Sequence, residues 1–226
     1  MKHREDVKPL PIPSVMMERP PVDYAKVTRS VLSRFSEALR AAETRRSEKP
    51  MQEFLEANPA VLVSFVSPHT VWVLPRQSLG KALGGGWQPD FLVCDWNSNG
   101  PEWTIVEIES PTAQVINTRG ISQKCREAQQ QVSDYRRHMK DNWKDLQLSG
   151  LPGAHHQARS RVVIGRRKDY AAKNRERLID LRNDDIEVAS YDRLYDQLCQ
   201  MVKFRVSTRA AAKVATASWA GREIRK

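Results

Sequence analysis

Cysteine is scarce in this chain of 226 residues, which has Cys94, Cys125 and Cys199 and no others. The three are widely spaced and form no CxxC pair or zinc spacing, which argues against a disulfide scaffold and a structural zinc site. Long apolar runs are also missing, and none approaches the ~20 residues that span a bilayer. Residues 1–21 lack the apolar core of a signal peptide. We therefore expect a cytoplasmic protein with reduced thiols and no membrane partner.

Acidic residues are in deficit. Asp and Glu number 27 against 37 Lys and Arg, so the formal net charge is +10 and the pI is about 9.7. Such a balance favours a polyanionic partner, most often nucleic acid and sometimes a membrane surface. The alternative is a basic surface that serves solubility alone.

Part of the basic excess lies in the last segment. Residues 203–226 hold seven Lys or Arg residues against one acid, Glu223. One interpretation is an arm that grips phosphates. An equally good alternative is a solvated, poorly ordered tail. The DNA-binding candidates in this segment are Lys203, Arg205, Arg209 and Lys213.

What the chain does have is a group of carboxylates at the ends of two predicted strands. Residues 91–93 and 103–108 are apolar runs that indicate neighbouring strands joined by a turn. Asp90 begins the first run, and Glu107 and Glu109 close the second on one face, because side chains repeat every second residue. The three carboxylates should therefore converge.

Converging carboxylates in an apolar setting repel one another and are costly to ionise. A hard divalent cation such as Mg²⁺ or Mn²⁺, which prefers oxygen ligands, offsets that cost. Asp90 and Glu107 are the predicted primary metal ligands. A hairpin whose carboxylates merely face solvent is the alternative, but Glu107 lies in a strand too apolar for an exposed edge.

A long helix predicted over residues 122–142 offers further candidates. Lys124 and Gln131 are seven residues apart, so they lie on nearly the same side of it, beside Tyr135. Lys124 could point at the strand ends, although a surface lysine is the commoner case. Glu56, on a short helix predicted over residues 51–58, is the remaining acid that could reach a metal ion.

The chain divides into three parts. Residues 1–22 contain five prolines, which predict an extended or disordered arm. Residues 23–202 are predicted to form one domain, followed by the basic tail at 203–226. The order within the domain is helices, a three-strand meander, the long helix, and then strand, helix, strand and helix, with the first helix of that last group predicted over residues 171–181. This order predicts an α/β fold with a mixed sheet flanked by helices and a helical N-terminal segment. Periodicity leaves open whether the apolar run at residues 61–66, before the meander, is helix or strand.

Several short motifs together resemble those of one family. Asp90 to Glu109 is similar to the PD...(D/E)x(K/E) pattern of restriction-endonuclease-like nucleases. Six separated motifs occur in the order seen in the Shedu family of bacterial anti-phage defence proteins. They are Phe54-Leu55-Glu56-Ala57-Asn58-Pro59, Pro89-Asp90-Phe91-Leu92, Val106-Glu107-Ile108-Glu109-Ser110-Pro111, Gln131 to Tyr135, Val163-Ile164-Gly165-Arg166, and Ser190-Tyr191-Asp192-Arg193-Leu194.

The resemblance covers roughly residues 50–200. It implies a restriction-endonuclease-like domain that cuts or nicks DNA with Mg²⁺ or Mn²⁺, and assembly into a homo-oligomer. By resemblance, Asp90, Glu107 and Gln131 take catalytic positions and Glu56 a supporting one. The chain departs from the family in having Glu109 where a lysine is usual. A Glu there can bind metal or act as a base, and Lys124 is the candidate substitute for the lysine.

Two other functions remain compatible with the sequence. The first is a catalytically weak module of the same fold that binds DNA or a partner. The presence of Glu109 in place of the usual lysine favours this hypothesis. The second is an oligomeric scaffold whose basic surface is incidental.

Overall fold

A mixed sheet of five strands forms the centre of the structure, a computed structural model that describes Met16 and residues 19–66, 70–76, 88–97, 100–118, 120–155, 157–170 and 186–204. In chain order the strands are β1 (Thr70–Pro75), β2 (Phe91–Asn97), β3 (Gly100–Ile108), the short ribbon of β4 (Ile116–Asn117) and β5 (Gly120–Ile121), β6 (Arg159–Val163) and β7 (Ile186–Ala189). The central sheet has the order β1-β2-β3-β6-β7. Its first three strands form the predicted antiparallel meander, and β6 and β7 run parallel to β3.

Helices cover both faces of this sheet. They are α1 (Arg29–Arg45), α2 (Lys49–Ala57), α3 (Ala60–Val66), α4 (Gln123–Asp141), α5 (Trp143–Leu148) and α6, which is helical over residues 191–204. Helix α4 starts where the Ser122 hydroxyl accepts a hydrogen bond from the Cys125 N–H at 3.1 Å. The predicted α/β class, with a mixed sheet between helices, is therefore confirmed.

One core lies between the sheet and the helices α1, α2, α3 and α6. Strand residues such as Val93 and Val106 project onto this face, where Phe35 of α1 is fully buried. The Phe35 ring meets that of Phe54 in α2 edge to face, with 5.4 Å between centroids. These contacts fix the N-terminal helices against the sheet.

A second core lies on the opposite face. It contains the predicted apolar side of α4, from Cys125 through Val132 to Met139, packed against strand residues that alternate with those of the first core, such as Leu92 and Ile105. The site-bearing end of β3 is thus enclosed from both sides.

An ion-pair cluster around Arg166 links two of the helices that cover the first core. The Arg166 guanidinium follows β6 and donates to both carboxylate oxygens of Asp192, at 2.9 and 2.8 Å. It also pairs with Glu43 of α1. The planar fork of arginine suits this two-pronged contact. Arg166 therefore ties α1 to the beginning of α6.

Most predicted elements agree with the structure to within about two residues. The apolar run at residues 61–66, whose type the sequence left open, is helix α3. The β4–β5 ribbon and α5 were not predicted. The helix predicted over 171–181 lies outside the described residues. In the described helices, no segment combines the length and apolarity needed to cross a membrane.

The two predicted terminal segments are described only in part. Met16 is buried against the second core, and the Val22 N–H donates to the Val71 carbonyl of β1 at 2.8 Å. This end of the proline-rich segment is therefore packed on the sheet. Lys203 is exposed on α6, whereas Arg205, Arg209 and Lys213 lie outside the described residues.

Candidate active site

Asp90 and Glu107 face each other at the ends of two neighbouring strands. The pairing of Phe91 with Val106 brings Asp90, just before β2, alongside Glu107 of β3. The Asp90 N–H donates to Glu107 Oε1 at 3.2 Å, and the Ile108 N–H donates to Asp90 Oδ2 at 3.0 Å. The two residues are only 5 % and 6 % exposed. The predicted convergence of these two side chains is therefore present.

This burial changes the acidity of both carboxyl groups. Loss of water, together with the charge of Asp90, raises the pKa of Glu107 to about 9. Burial also raises the pKa of Asp90, although the Ile108 N–H and the hydrogen bond from Glu107 oppose that rise. The pair therefore holds a proton to a higher pH than a free carboxyl group does, and it titrates as a unit.

Tyr135 of α4 closes one side of this pair. Its hydroxyl donates to the Gln88 carbonyl at 3.2 Å and is within hydrogen-bonding reach of the Glu107 carboxyl group. Burial and the nearby charges of Glu107 and Asp90 raise the pKa of the Tyr135 phenol far above its usual value. Tyr135 is therefore a neutral hydrogen-bonding group in the site.

Glu109 lies just beyond β3 and faces α4. Its Oε2 is 3.1 Å from Lys124 Nζ, so the lysine does point at the strand ends. Burial raises the pKa of Glu109, and the Lys124 ammonium partly opposes that rise. Burial also disfavours the charged form of Lys124, but Glu109 more than offsets this and the net pKa of Lys124 is raised. The two form an ion pair between a buried carboxylate and a half-exposed ammonium.

The backbone of Glu109 is fixed by its neighbours. Its N–H donates to the Val163 carbonyl at 2.8 Å, and its own carbonyl accepts from the buried Tyr191 hydroxyl at 2.8 Å. Gly165 lies against the following turn at a φ of +66°, where a Cβ would sit 2.7 Å from the Ala113 carbonyl oxygen. Close packing thus holds the segment that carries Glu109.

Two charged residues near the site were not identified as site residues from the sequence. Glu48, just before α2, adds negative charge near Asp90, Glu109 and Lys124. Arg76, after β1, places Nη1 3.7 Å from Asp90 Oδ1 with its side chain half exposed. The available signal for Glu48 was Pro50, since proline favours the first turn of a helix. The predicted helix began at residue 51 and left Glu48 out.

Among the described residues, the predicted site residues Gln131 and Glu56 make no hydrogen bond or ion pair with the carboxylate pair. Gln131 is exposed on α4, about 20° around the helix axis from Lys124 and on the side that carries Tyr135. Glu56 accepts a hydrogen bond from Gln52 at 3.3 Å and lies eight residues, or about 12 Å of helix rise, after Glu48. The roles assigned to Gln131 and Glu56 stay predictions.

The donor set of the carboxylate pair fits a hard divalent cation. Asp90 and Glu107 offer oxygen atoms in a desolvated setting, and metal binding would displace the retained proton. Within the described part of the chain, no three His, Cys, Asp or Glu side chains are grouped so as to hold a metal ion. The four predicted metal ligands therefore do not form one group: Asp90 and Glu107 contact each other, Glu109 is paired with Lys124, and the metal site stays a prediction.

Fold and site together define an α/β sandwich with a buried carboxylate pair at the ends of adjacent strands. The family model of the Shedu protein SduA, C-terminal region, matches residues 45–195, which include all the described residues of this site. The chain belongs to that family, as its motifs predict. Membership supports a role in anti-phage defence. A search of curated proteins finds no match to the chain.

Proposed function

We propose that this protein is a metal-dependent endonuclease that hydrolyses phosphodiester bonds of DNA in anti-phage defence. The observation that carries the proposal is the Asp90–Glu107 pair, two buried carboxylates in contact at the ends of adjacent strands. Burying two carboxylates in contact is costly for stability. Strongly perturbed carboxyl groups of this kind concentrate at functional sites.

The reaction consumes one water molecule. Its oxygen bonds to phosphorus as the bond to the leaving ester oxygen breaks, one proton ends on that oxygen, and the other goes with the product phosphate. Bound Mg²⁺ or Mn²⁺ would supply charge neutralisation and a more acidic water. Asp90 and Glu107 would hold the ion, and Tyr135 orients Glu107.

Cationic groups lie at the same end of the sheet as this pair. Arg76 and Lys124 each have a half-exposed side chain, and each contacts one of the buried carboxylates. Positive charge beside a bound DNA phosphate would stabilise the negative charge that develops during hydrolysis. The site therefore combines acids for the metal with cations for the substrate.

The direct test is nicking of supercoiled plasmid by the purified chain in Mg²⁺ or Mn²⁺, set beside a gel shift of DNA in EDTA. Metal-dependent nicking is expected, and it should be lost when EDTA is added. A shift without nicking by a folded, metal-supplemented protein would overturn the enzyme proposal. A protein that produces no nicks and no gel shift would favour the scaffold hypothesis.

Glu109 supports a second candidate function. It occupies the position at which the resemblance implies a lysine, and its carboxylate is paired rather than free. A catalytically weak module that binds DNA or a partner would tolerate this replacement. The plasmid assay separates this candidate from the nuclease, since only the nuclease produces nicked circles.

DNA binding should depend strongly on salt and little on sequence. Phosphate contacts release counterions and carry no base information, so the logarithm of affinity should fall linearly with the logarithm of salt concentration. Removing residues 205–226, which carry six basic residues and one acid, should flatten that slope and leave α6 as described. Gel shifts across a salt series measure both slopes.

A full-length variant with Arg205, Arg209 and Lys213 replaced by glutamine is the matched control for that deletion. It removes charge while keeping length. An unchanged slope in both proteins would show that the segment does not contact phosphates.

A further inference from the structure

The ion pair between Lys124 and Glu109 is asymmetric in its exposure. The Glu109 side chain is 8 % exposed, whereas the Lys124 side chain is 53 % exposed. The ammonium group has three donors and no acceptor, and one donor meets Glu109 Oε2 at 3.1 Å. The lysine thus reaches the site from solvent and has hydrogen-bonding capacity to offer a second anion.

The carboxylate of Glu109 is a fixed anchor for this ammonium. Both backbone polar atoms of Glu109 are hydrogen bonded, to the Val163 carbonyl and to the Tyr191 hydroxyl. The residue is also two positions after Glu107, so the anchored charge is at the same strand end as the carboxylate pair. A flexible lysine held at a fixed point loses less freedom when it meets a phosphate.

We propose that Lys124 is the residue that presents a positive charge to the phosphate being hydrolysed, and that Glu109 is a positioning residue for Lys124 rather than a metal ligand. This inference rests on the proposed nuclease function. It divides the three buried carboxylates into two roles. Asp90 and Glu107 serve the metal, and Glu109 serves the lysine.

The division follows from charge and contacts. Lys124 neutralises Glu109, so the pair adds no net charge to the site, and a metal ion at Glu109 would have to share that carboxylate with the ammonium. Asp90 and Glu107 instead contact each other. A cation delivered by α4 reaches the site from outside the sheet, so its position depends on Glu109.

The test compares Lys124→Ala, Lys124→Arg, Lys124→Glu, Glu109→Gln and the double variant Glu109→Lys/Lys124→Glu. Lys140→Ala is the matched control, because Lys140 is exposed on the same helix about 24 Å farther along its axis. Each protein is measured for single-turnover plasmid nicking in Mn²⁺, for Mn²⁺ affinity by calorimetry, and for DNA affinity in EDTA across a salt series.

Lys124→Ala should slow nicking roughly a hundredfold, the usual effect of losing one stabilising group for developing charge. Lys124→Arg should recover part of the rate. Lys124→Glu should slow nicking more than Lys124→Ala does, and the double variant with the exchanged pair should nick at least about tenfold faster than Lys124→Glu. Mn²⁺ affinity should stay within about twofold for Glu109→Gln. The salt slope of Lys124→Ala should drop by about 0.9 relative to Lys140→Ala, as for one lost phosphate contact.

Three results would overturn the assignment. One is a Lys124→Ala protein that matches Lys140→Ala in both nicking and salt slope. Another is a Glu109→Gln protein that loses Mn²⁺ binding as completely as a variant of Asp90, which would make Glu109 a ligand. The third is an exchanged pair no faster than Lys124→Glu. If the unaltered chain does not nick at all, the proposed nuclease function fails, and the salt slope alone then decides whether Lys124 contacts phosphate.

Discussion

Asp90→Asn is expected to abolish Mn²⁺ binding and to reduce plasmid nicking by at least about 10³-fold, because the metal supplies most of the charge stabilisation in such a reaction. The amide keeps an oxygen that can accept from the Ile108 N–H, so the local fold should persist. It lacks the negative charge that a divalent cation requires. Calorimetric titration of Mn²⁺ and single-turnover nicking measure the two effects.

Glu102→Gln is the matched control for this change. Glu102 is exposed on β3, five residues before Glu107 and away from the site end of the strand. It should bind Mn²⁺ and nick as the unaltered chain does. Equal Mn²⁺ affinity in Asp90→Asn and the unaltered chain would remove Asp90 from the metal site.

Glu107→Gln is expected to abolish nicking and, in EDTA, to stabilise the protein at alkaline pH. The folded pKa of about 9 lies above the ordinary value of 4.5, so between these pH values the folded protein binds a proton that the unfolded chain releases. The contribution of Glu107 to stability therefore falls as pH rises, by up to about 1.4 kcal/mol per pH unit. Glutamine mimics the protonated acid and does not titrate.

Thermal unfolding in EDTA at pH 6, 7 and 8 measures this difference. The melting temperature of Glu107→Gln should exceed that of the unaltered chain by an amount that grows with pH, up to about 3–5 °C per unit. Excess Mn²⁺ should reverse the order, because it stabilises only a protein that binds it. Parallel pH profiles for the two proteins would show that Glu107 is not protonated at neutral pH. Glu102→Gln again serves as the control.

The central part of the site could be predicted because it depends on local pattern. Alternating side chains put Glu107 and Glu109 on one side of β3, and a short turn makes β2 its neighbour, so Asp90 had to lie near Glu107. The apolar side of α4 likewise follows from helical periodicity, which also put Lys124 and Gln131 together.

The rest of the site depends on contacts between distant segments. Glu48 approaches Asp90 and Glu109 only because α2 packs on the first core, and nothing in the residues around it indicates a partner about 40 to 60 positions away. The contact of Glu109 with Lys124 joins a strand end to a helix start, and periodicity alone could not tell it from a solvent-facing lysine. The β4–β5 ribbon has two residues per strand, too few for a pattern to show.

The ion pairs of Arg166 limit how far an expression fragment of this protein can be shortened from its N-terminus. The family match starts at residue 45, so an expression fragment with those bounds would lack α1 and the Glu43 partner of Arg166. It would also lack Phe35, so the rings of Phe54 and Tyr195, which pack against Phe35, would lose that contact. The part of the chain that the family shares is thus shorter than the part that must fold together, and truncation experiments should begin before residue 29.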